Sequence, residues 1–516
     1  MMTEKGNLSE LPKGWASATI GEVADVITGT TPSKKNPDFY GGDIPFVKPG
    51  DLDRSDLLVE SEETVTSEGA EQGRLLLKGS IPVSCIGILG KSALLGVEAI
   101  TNQQINAVVP CKGLIPRFVY YWSKTIKPWL DENASATTVA IINKGRFSKA
   151  PISFPSEIEQ RRIVAKTEEL LTKLDAGVEA MKKTKAQLKR YRQSVLKTAV
   201  EGKLTEEWRE AHKEELEPAS VLLERIRLER RQLWEEDQLA KMKAKGNTPK
   251  DDSWMKKYKE TTEPDISELP DLPDVWVWTD LNSISKEIYR YPTFYGLEHL
   301  QRGIPVIRGE HLRNDGTISN DWDNYWFISL EVSQRFPRTV VEVDDLIMCV
   351  RGSVGKIGMV DENLQKAQIS PNCIRISLIK NQISPKVVLF YFMSVFGKDM
   401  VQKNVSATTI QTIKASLLVE TPIPLPPFLE QKVIADEVER RLSVADEIEA
   451  TIDAELKRSE RLRQSILKQA FSGELVPQDP TDEPGEKLLE RIKEEKAKLE
   501  AEKKPRKRAR IRKAKK

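Results

Sequence analysis

The sequence predicts an α+β protein made of two pseudo-repeated α/β heads, each followed by a long helix with a coiled-coil-like seam. Three observations predict it. The second half of the chain repeats the first, each copy changes composition part-way along, and the rear of each copy carries apolar residues at helical spacing with few breakers.

Leu11-Pro12, Trp15 and Ile20 recur as Leu272-Pro273, Trp276 and Leu281, and Ile44-Pro45-Phe46-Val47-Lys48 recurs as Ile304-Pro305-Val306-Ile307-Arg308. Gly90-Lys91 matches Gly355-Lys356. From Ser135 the offset holds at 271: Ser135-Ala136-Thr137-Thr138 with Ser406-Ala407-Thr408-Thr409, Glu159-Gln160 with Glu430-Gln431, and Gln193-Ser194-Val195-Leu196-Lys197 with Gln464-Ser465-Ile466-Leu467-Lys468. Gly202 and Leu204 then match Gly473 and Leu475, and Glu217-Pro218 with Leu222 to Ile226 recurs as Glu483-Pro484 with Leu488 to Ile492. Two copies are too few for a solenoid, so the expectation is a pseudo-twofold molecule.

The elements follow in order. Residues 1–155 form the first head, 156–204 a central spacer helix, 205–243 a helical extension and 244–268 a linker; 269–428 form the second head, 429–475 a second spacer helix, 476–502 a linker and short helix, and 503–516 a basic tail. In the first head, Asp43 to Val47, Ser80 to Ile86 and Ala107 to Pro110 read as short strands bounded by Gly and Pro. Pro116 opens a helix over Phe118 to Leu130, and Ser384-Pro385 opens one over Val387 to Val401. Glu157 to Val200 carries Leu174, Met181, Leu188 and Val195 seven apart, with Leu170, Val178 and Tyr191 between them. Ile448, Ile452, Leu456, Leu462, Ile466 and Ala470 make a less regular seam, weakened by Glu455 and Ser459.

Composition excludes several classes. A hydrophobic fraction of 39% with 31% charged residues argues against both wholesale disorder and a membrane protein. No run of about 18 apolar residues and no signal peptide appears, so a cytoplasmic location without membrane contact is expected. Cys85, Cys111, Cys349 and Cys373 are scattered, with no Cys-x-x-Cys pair, and suit small buried side chains rather than zinc or disulfides. The net charge of +2 names no partner, while the cationic run Lys503 to Lys516 fits either phosphate binding or a solubilising end.

On the repeated residues the chain resembles the specificity subunit of a Type I restriction-modification system, over nearly its whole length. The Pro-rich exits into Glu-Gln (Pro151 to Gln160; Pro422 to Gln431) are similar to that family's junctions between a target recognition domain and its helix, as are the helix ends Gln193 to Leu204 and Gln464 to Leu475. Leu204 to Arg209 and the basic end after Leu488 to Lys498 resemble the Type IA branch. Ser135-Ala136 departs from the Ser-Gly pair of many relatives, and Pro151-Ile152-Ser153-Phe154-Pro155 lacks the double Pro of Pro426-Pro427. The resemblance implies two target recognition domains, each reading half of a split, asymmetric site in double-stranded DNA, separated by two antiparallel helices. It implies two methyltransferase subunits docked on those helices and two restriction-translocase subunits. S-adenosylmethionine, ATP and Mg belong to those partners, and no cofactor or metal is expected on this chain.

The residues themselves speak against catalysis here. Asn36-Pro37-Asp38-Phe39 and Leu425-Pro426-Pro427-Phe428 each miss one residue of the Asn-Pro-Pro-aromatic signature of adenine methyltransferases and read as turns. Gly90-Lys91-Ser92 lacks the upstream Gly of a P-loop, since Cys85 stands there. Only His212, His299 and His311 exist, too few for a duplicated histidine site.

Reading DNA needs Arg, Lys, Asn, Gln or Thr on loops that reach base edges and phosphates. Candidates in the first head are Thr30, Thr31, Lys34, Lys35, Lys48, Arg54, Lys91, Asn143, Lys144 and Arg146; in the second, Arg290, Tyr291, Arg308, Arg313, Arg351, Lys356 and Lys366. For any one of them an ordinary solvated side chain is the favoured reading. A helix of about 44 residues spans about 65 Å, comparable with two turns of B-DNA at roughly 34 Å each, so paired helices would act as a ruler between half-sites. Thr30 to Lys35 differs from Tyr289-Arg290-Tyr291-Pro292, which predicts different half-sites. A coiled-coil scaffold without sequence-specific DNA binding remains the alternative.

Overall fold

The computed structural model describes residues 11–52, 54–135, 139–247, 249, 251–290, 298–403, 405–406 and 411–513. Tyr291 and residues 514–516 of the basic tail lie outside them. The chain forms two compact units, Met1–Lys182 with Asp453–Lys516, and Lys183–Ile452.

In the first unit, Ala24–Thr28, Ile105–Pro110 and Ile81–Ser84 form an antiparallel sheet, with Val26 opposite Val108 and Val83 opposite Asn106. Tyr40–Val47 pairs antiparallel with Thr64–Val65 and parallel with Ile100–Thr101. The head closes where its entry strand, Ala16–Thr19, meets its exit strand, Pro151–Phe154. Phe118, Tyr120, Val83, Val108 and Phe147 lie in the core between sheet and helix.

The second unit repeats this plan, with a fourth strand in the first sheet and a register shift between Ser285 and Glu287. Ser285–Arg290, Cys373–Leu378, Leu346–Cys349 and Ile357–Met359 form one antiparallel sheet. Ile304–Ile307 pairs antiparallel with Trp326–Ile328 and parallel with Gln368–Ile369, and Val277–Asp280 closes on Pro422–Leu425.

Each predicted helix behind the sheets is split in two. In the first head Pro116–Ser123 ends and Lys127–Asn133 begins, because Pro128 has no amide to donate within a helix and instead opens a new one. In the second, Pro385–Met393 and Val395–Lys403 part at Ser394, whose hydroxyl accepts the Gly397 amide at 3.0 Å and so caps the later helix.

The two long helices run Glu157–Val200 and Phe428–Phe471. The first unit holds the start of one and the end of the other, where Arg463 pairs with Asp175. The second holds the reverse, with Arg192 bonded to Asp446 at 2.6 Å and to Glu449 at 2.7 Å. The helices are therefore antiparallel. Of the seam residues, Leu188, Val195, Ile452 and Ile466 are buried and Leu174 and Met181 half-buried, while Leu462 faces solvent and Ser459 is buried.

Matched contacts fix each head to the helices. The Trp15 indole donates to Glu159 at 3.1 Å, and the Trp276 indole to Glu430 at 2.8 Å. The next residue bridges backbone: Gln160 accepts from the Ile115 amide at 2.9 Å and donates to Pro155 O at 3.1 Å, while Gln431 accepts from Ser384 at 2.7 Å and donates to Pro426 O at 3.2 Å. All six side chains are buried, so each polar group needs its partner, and losing one costs about 1–3 kcal/mol. The repeated Trp and Glu-Gln are thus one latch seen twice.

The far ends match as well. Gly202 and Gly473, at φ +70° and +73°, end the long helices against Pro273 and Pro12 respectively. The helices Ala219–Ala244 and Gly485–Lys513 then brace the heads through Ala219 N to Val275 O at 2.9 Å and Gly485 N to Gly14 O at 2.8 Å. Leu222 and Ile226 are buried on one side of the repeat and Leu488 and Ile492 on the other. The last helix continues through Lys513, into the stretch expected as a tail. Among the described residues no helix is long and apolar enough to cross a membrane.

Candidate nucleic-acid interface

One rim of the first head gathers four segments. After Ile81–Ser84 the chain turns through Gly87 and Gly90, whose φ of +79° and +83° suit glycine. Buried Ser84 holds the turn: its hydroxyl donates to Ile88 O at 2.6 Å and accepts the Lys91 amide at 3.0 Å, and its carbonyl accepts the Gly90 amide at 3.0 Å. Cys85 N bonds Gln104 O at 2.8 Å, Ile142 N bonds Cys85 O at 2.8 Å, and Gly87 N bonds Ala140 O at 3.0 Å. Thr30 N reaches Thr101 O at 2.8 Å and the Thr31 hydroxyl donates to Gln103 Oε1 at 2.6 Å. Segments 29–36, 85–91, 102–104 and 139–146 are thereby joined by backbone bonds or neighbouring residues.

The second head repeats the backbone bonds of the turn, with Cys349 in the place of Ser84. Val350 N bonds Asn372 O at 2.8 Å, Ile413 N bonds Val350 O at 3.0 Å, Gly352 N bonds Gln411 O at 3.1 Å, and Gly355 N bonds Cys349 O at 2.9 Å. Gly352 and Gly355 have φ of +87° and +83°. Arg290 stands on the flanking strand, its Nε 3.5 Å from Pro371 O. The scaffold is shared, and its side chains are not: Ile86, Ile88, Ala140 and Ile141 stand where the second head has Arg351, Ser353, Gln411 and Thr412.

The expected DNA-contacting residues fall into two groups. Lys34, Lys35 and Lys144 in the first head, and Arg351, Lys356 and Lys366 in the second, are exposed and make no ion pair among the described residues. Lys366 adopts φ +70°. Lys91 is half-buried on the turn, and Asn143 accepts the Arg146 amide at 2.8 Å, which caps the short helix Lys144–Phe147. Other cations are engaged by neighbours. Lys48 pairs with Glu63, Arg54 with Glu62 at 2.8 Å, and Arg146 donates to Asn133 O at 2.8 Å. Arg313 donates to the Ser319 hydroxyl at 3.1 Å.

Arg308 is held most tightly. It donates to Asn324 O at 2.7 Å, pairs with Glu310 and lies 3.7 Å from the Trp326 ring centre. Its amide donates to His311 Nδ1 at 3.2 Å, matching the bond from Lys48 N to Asp51 at 2.8 Å in the first head. A ring nitrogen that accepts carries no proton, so Nε2 carries it and faces Asn324 O at 3.3 Å. Burial pushes the His311 pKa below its ordinary value, which favours the neutral imidazole.

Reasoning from charge overlooked the apolar part of the rim. Ile88 is 66% exposed, Val139 46% and Ile141 38%. The available signal was an isoleucine between two turn glycines, Gly87 and Gly90. Among the described residues no group of three His, Cys, Asp or Glu side chains is placed to hold a metal.

Comparison with known proteins decides the family. The sequence profile of the Type I restriction modification DNA specificity domain matches residues 12–190 and 283–458, once for each copy. The chain belongs to this family. It is 24% identical to the Type I restriction enzyme EcoBI specificity subunit of Escherichia coli, across 95% of this chain and 94% of that one. It is 25% identical to the EcoKI specificity subunit of Escherichia coli strain K12, across 95% and 97%, and 24% identical to the StySPI specificity subunit of Salmonella potsdam, across 98% and 100%. The HsdS subunit from Thermoanaerobacter tengcongensis shares the fold, with a TM-score of 0.53 at 18% identity over 92% of this chain and 100% of that one. A chain from a structural study of complex assembly and conformational transition in the type I R-M system has a TM-score of 0.62 at 17% identity, over 90% and 99%. This Type I specificity subunit thus has two copies of the family's domain, each with its own rim.

Proposed function

We propose that the two rims read the two halves of one split, asymmetric site in double-stranded DNA, and that this specificity subunit carries out no chemical step itself. The observation that carries the reading is the pairing of a shared backbone scaffold with different side chains. Matched hydrogen bonds present both rims in the same way, while side chains on them differ, with Ile86, Ile88, Ala140 and Ile141 against Arg351, Ser353, Gln411 and Thr412. Identical heads would suit a palindrome; diverged heads on one chain suit an asymmetric target.

In this reading the exposed Lys34, Lys35, Lys144, Arg351, Lys356 and Lys366 contact phosphates or bases, and the engaged cations Lys48, Arg54 and Arg308 hold the loops in shape. Two methyltransferase subunits dock on the paired long helices and methylate adenine N6 within the site, and two restriction-translocase subunits complete the complex. S-adenosylmethionine, ATP and Mg belong to those partners, which act with this chain on DNA in the cytoplasm.

Methylome sequencing of a host carrying this chain with its methyltransferase partner, against a host lacking only this chain, tests the proposal. One split, asymmetric motif bearing N6-methyladenine is expected only when the chain is present, and exchanging residues 1–155 for another head should change one half of that motif. An active methyltransferase that marks no motif, or one unchanged by the exchange, overturns it.

A further inference from the structure

At two positions the first rim exposes hydrocarbon where the second has hydrogen-bonding side chains, Ile88 against Ser353 and Ile141 against Thr412. Ile88 stands at the tip of the glycine turn, and Val139 and Ile141 lie on the segment tied to that turn by Gly87 N to Ala140 O and by the bridge between Ile86 and Ile141. Leu89 is turned inward and buried, so the exposure of Ile88 is not a general loosening of the turn. The hydroxyl of buried Ser84 fixes the Ile88 carbonyl, which presents the side chain on a preformed support. In the second head Ser353 and Thr412 stand in the places of Ile88 and Ile141, while the place of Val139 is taken by Ile410, which lies outside the described residues.

Exposed apolar groups rimmed by charge mark a contact surface. Here the charge is positive: Lys34, Lys35 and Lys144 are exposed on the same four segments and suit phosphates. The apolar group that DNA presents between its phosphates is the C5 methyl of thymine, on the major-groove edge, and a major groove about 12 Å wide admits a two-stranded turn. Resting on the reading above, we propose that Ile88, supported by Val139 and Ile141, reads a thymine methyl in the half-site of the first head. The second head, with Arg351 at its turn and Gln411 beside it, reads its half-site through hydrogen bonds instead.

The test uses the chain in complex with its methyltransferase subunits and duplexes of its own motif in which each thymine in turn is replaced by deoxyuridine. Uracil pairs as thymine does and lacks only the methyl. One position in the first half-site should bind about four-fold more weakly as uracil, the effect of withdrawing one buried methyl-sized group. Ile88→Ala should bind the thymine duplex about four-fold more weakly too, and should lose nothing further on the uracil duplex. The uracil duplexes probe the wild-type protein, so the test does not depend on the variant folding.

Equal binding of every uracil duplex of the first half-site overturns the inference, as do losses that multiply when variant and uracil are combined. A variant that binds DNA normally but separates from the methyltransferase subunits overturns it as well, since the apolar tip would then face protein. A complex with no preferred motif sinks the underlying reading too, whereas motif-specific binding indifferent to every thymine methyl sinks this inference alone.

Discussion

The two heads are latched by the same Trp-Glu contact, yet they neutralise the buried carboxylate in different ways. Glu430 accepts from the Trp276 indole, from the Thr205 hydroxyl at 2.6 Å and from Arg209 at 2.7 Å, and Arg209 also donates to Gly202 O at 2.8 Å. Glu159 has the Trp15 indole and, among the described residues, no direct arginine bond; nearby Arg162 is bonded to Asp482 at 2.5 Å. The difference has a source in sequence. Thr205 and Arg209 belong to the extension after the central helix, and the chain that follows the second helix has Val476 and Pro480 at the corresponding offset. Duplication preserved the shape of the latch, while its electrostatic compensation came from whatever chain lay next to it.

The largest effect should come from breaking that compensation where it is complete. In Glu430→Gln, Arg209 keeps its charge with its side chain only 10% exposed and loses its ion partner. Removing one member of a buried pair costs about 3–5 kcal/mol. Denaturant unfolding of the purified variant should show a large fall in midpoint, whereas Glu159→Gln, which strands no cation bonded to it, should change the unfolding free energy by about 1 kcal/mol or less. Equal losses at the two sites would mean that the latches are electrostatically alike and would break the comparison.

A second pair of substitutions asks where the copies should agree. Gly202 and Gly473 share a left-handed conformation, and an added Cβ would lie 2.5 Å from Pro273 Cγ and 2.6 Å from Pro12 Cγ respectively. A non-glycine residue there costs about 1–2 kcal/mol before any clash. Gly202→Ala and Gly473→Ala should therefore lower thermal stability by similar amounts of about 2 kcal/mol, read by calorimetry. A large inequality would show that one helix end is free to shift and the other is not.

How much of this was legible beforehand follows from the range of each interaction. The helix Glu157–Val200 was readable end to end, since it lacks Pro and repeats its apolar residues locally. The repeat displayed Trp15 and Glu159 beside Trp276 and Glu430, but nothing in a linear pattern says that residues 144 apart bond to each other. The rims were hidden for a different reason: backbone amides and carbonyls join segments 85–91, 102–104 and 139–142, and backbone bonds leave no residue-type signature. Selection by charge gathered Lys48, Arg54 and Arg308 with the exposed cations, because their partners Glu63, Glu62 and Glu310 look like any other surface acids until folded. It also passed over Ile88, which carries no charge at all.

The smallest effect gives the finest test of the latch comparison. Burial is the largest influence on Glu159 and pushes its pKa above the ordinary glutamate value, against the lowering by the Trp15 indole and Arg162. A carboxyl whose folded pKa is raised binds its proton more tightly folded than unfolded. Its contribution to stability is therefore fully present below the unfolded value, is lost as pH rises through the folded value, and stays lost above it. Glu159→Gln removes that titration while keeping an oxygen for the indole. At neutral pH the variant should be slightly more stable than the parent, and the advantage should vanish on acidification to the ordinary glutamate range. Paired unfolding curves across that range decide the matter: an advantage that persists at low pH, or a variant less stable at pH 7, would show that the Glu159 charge is compensated as fully as that of Glu430.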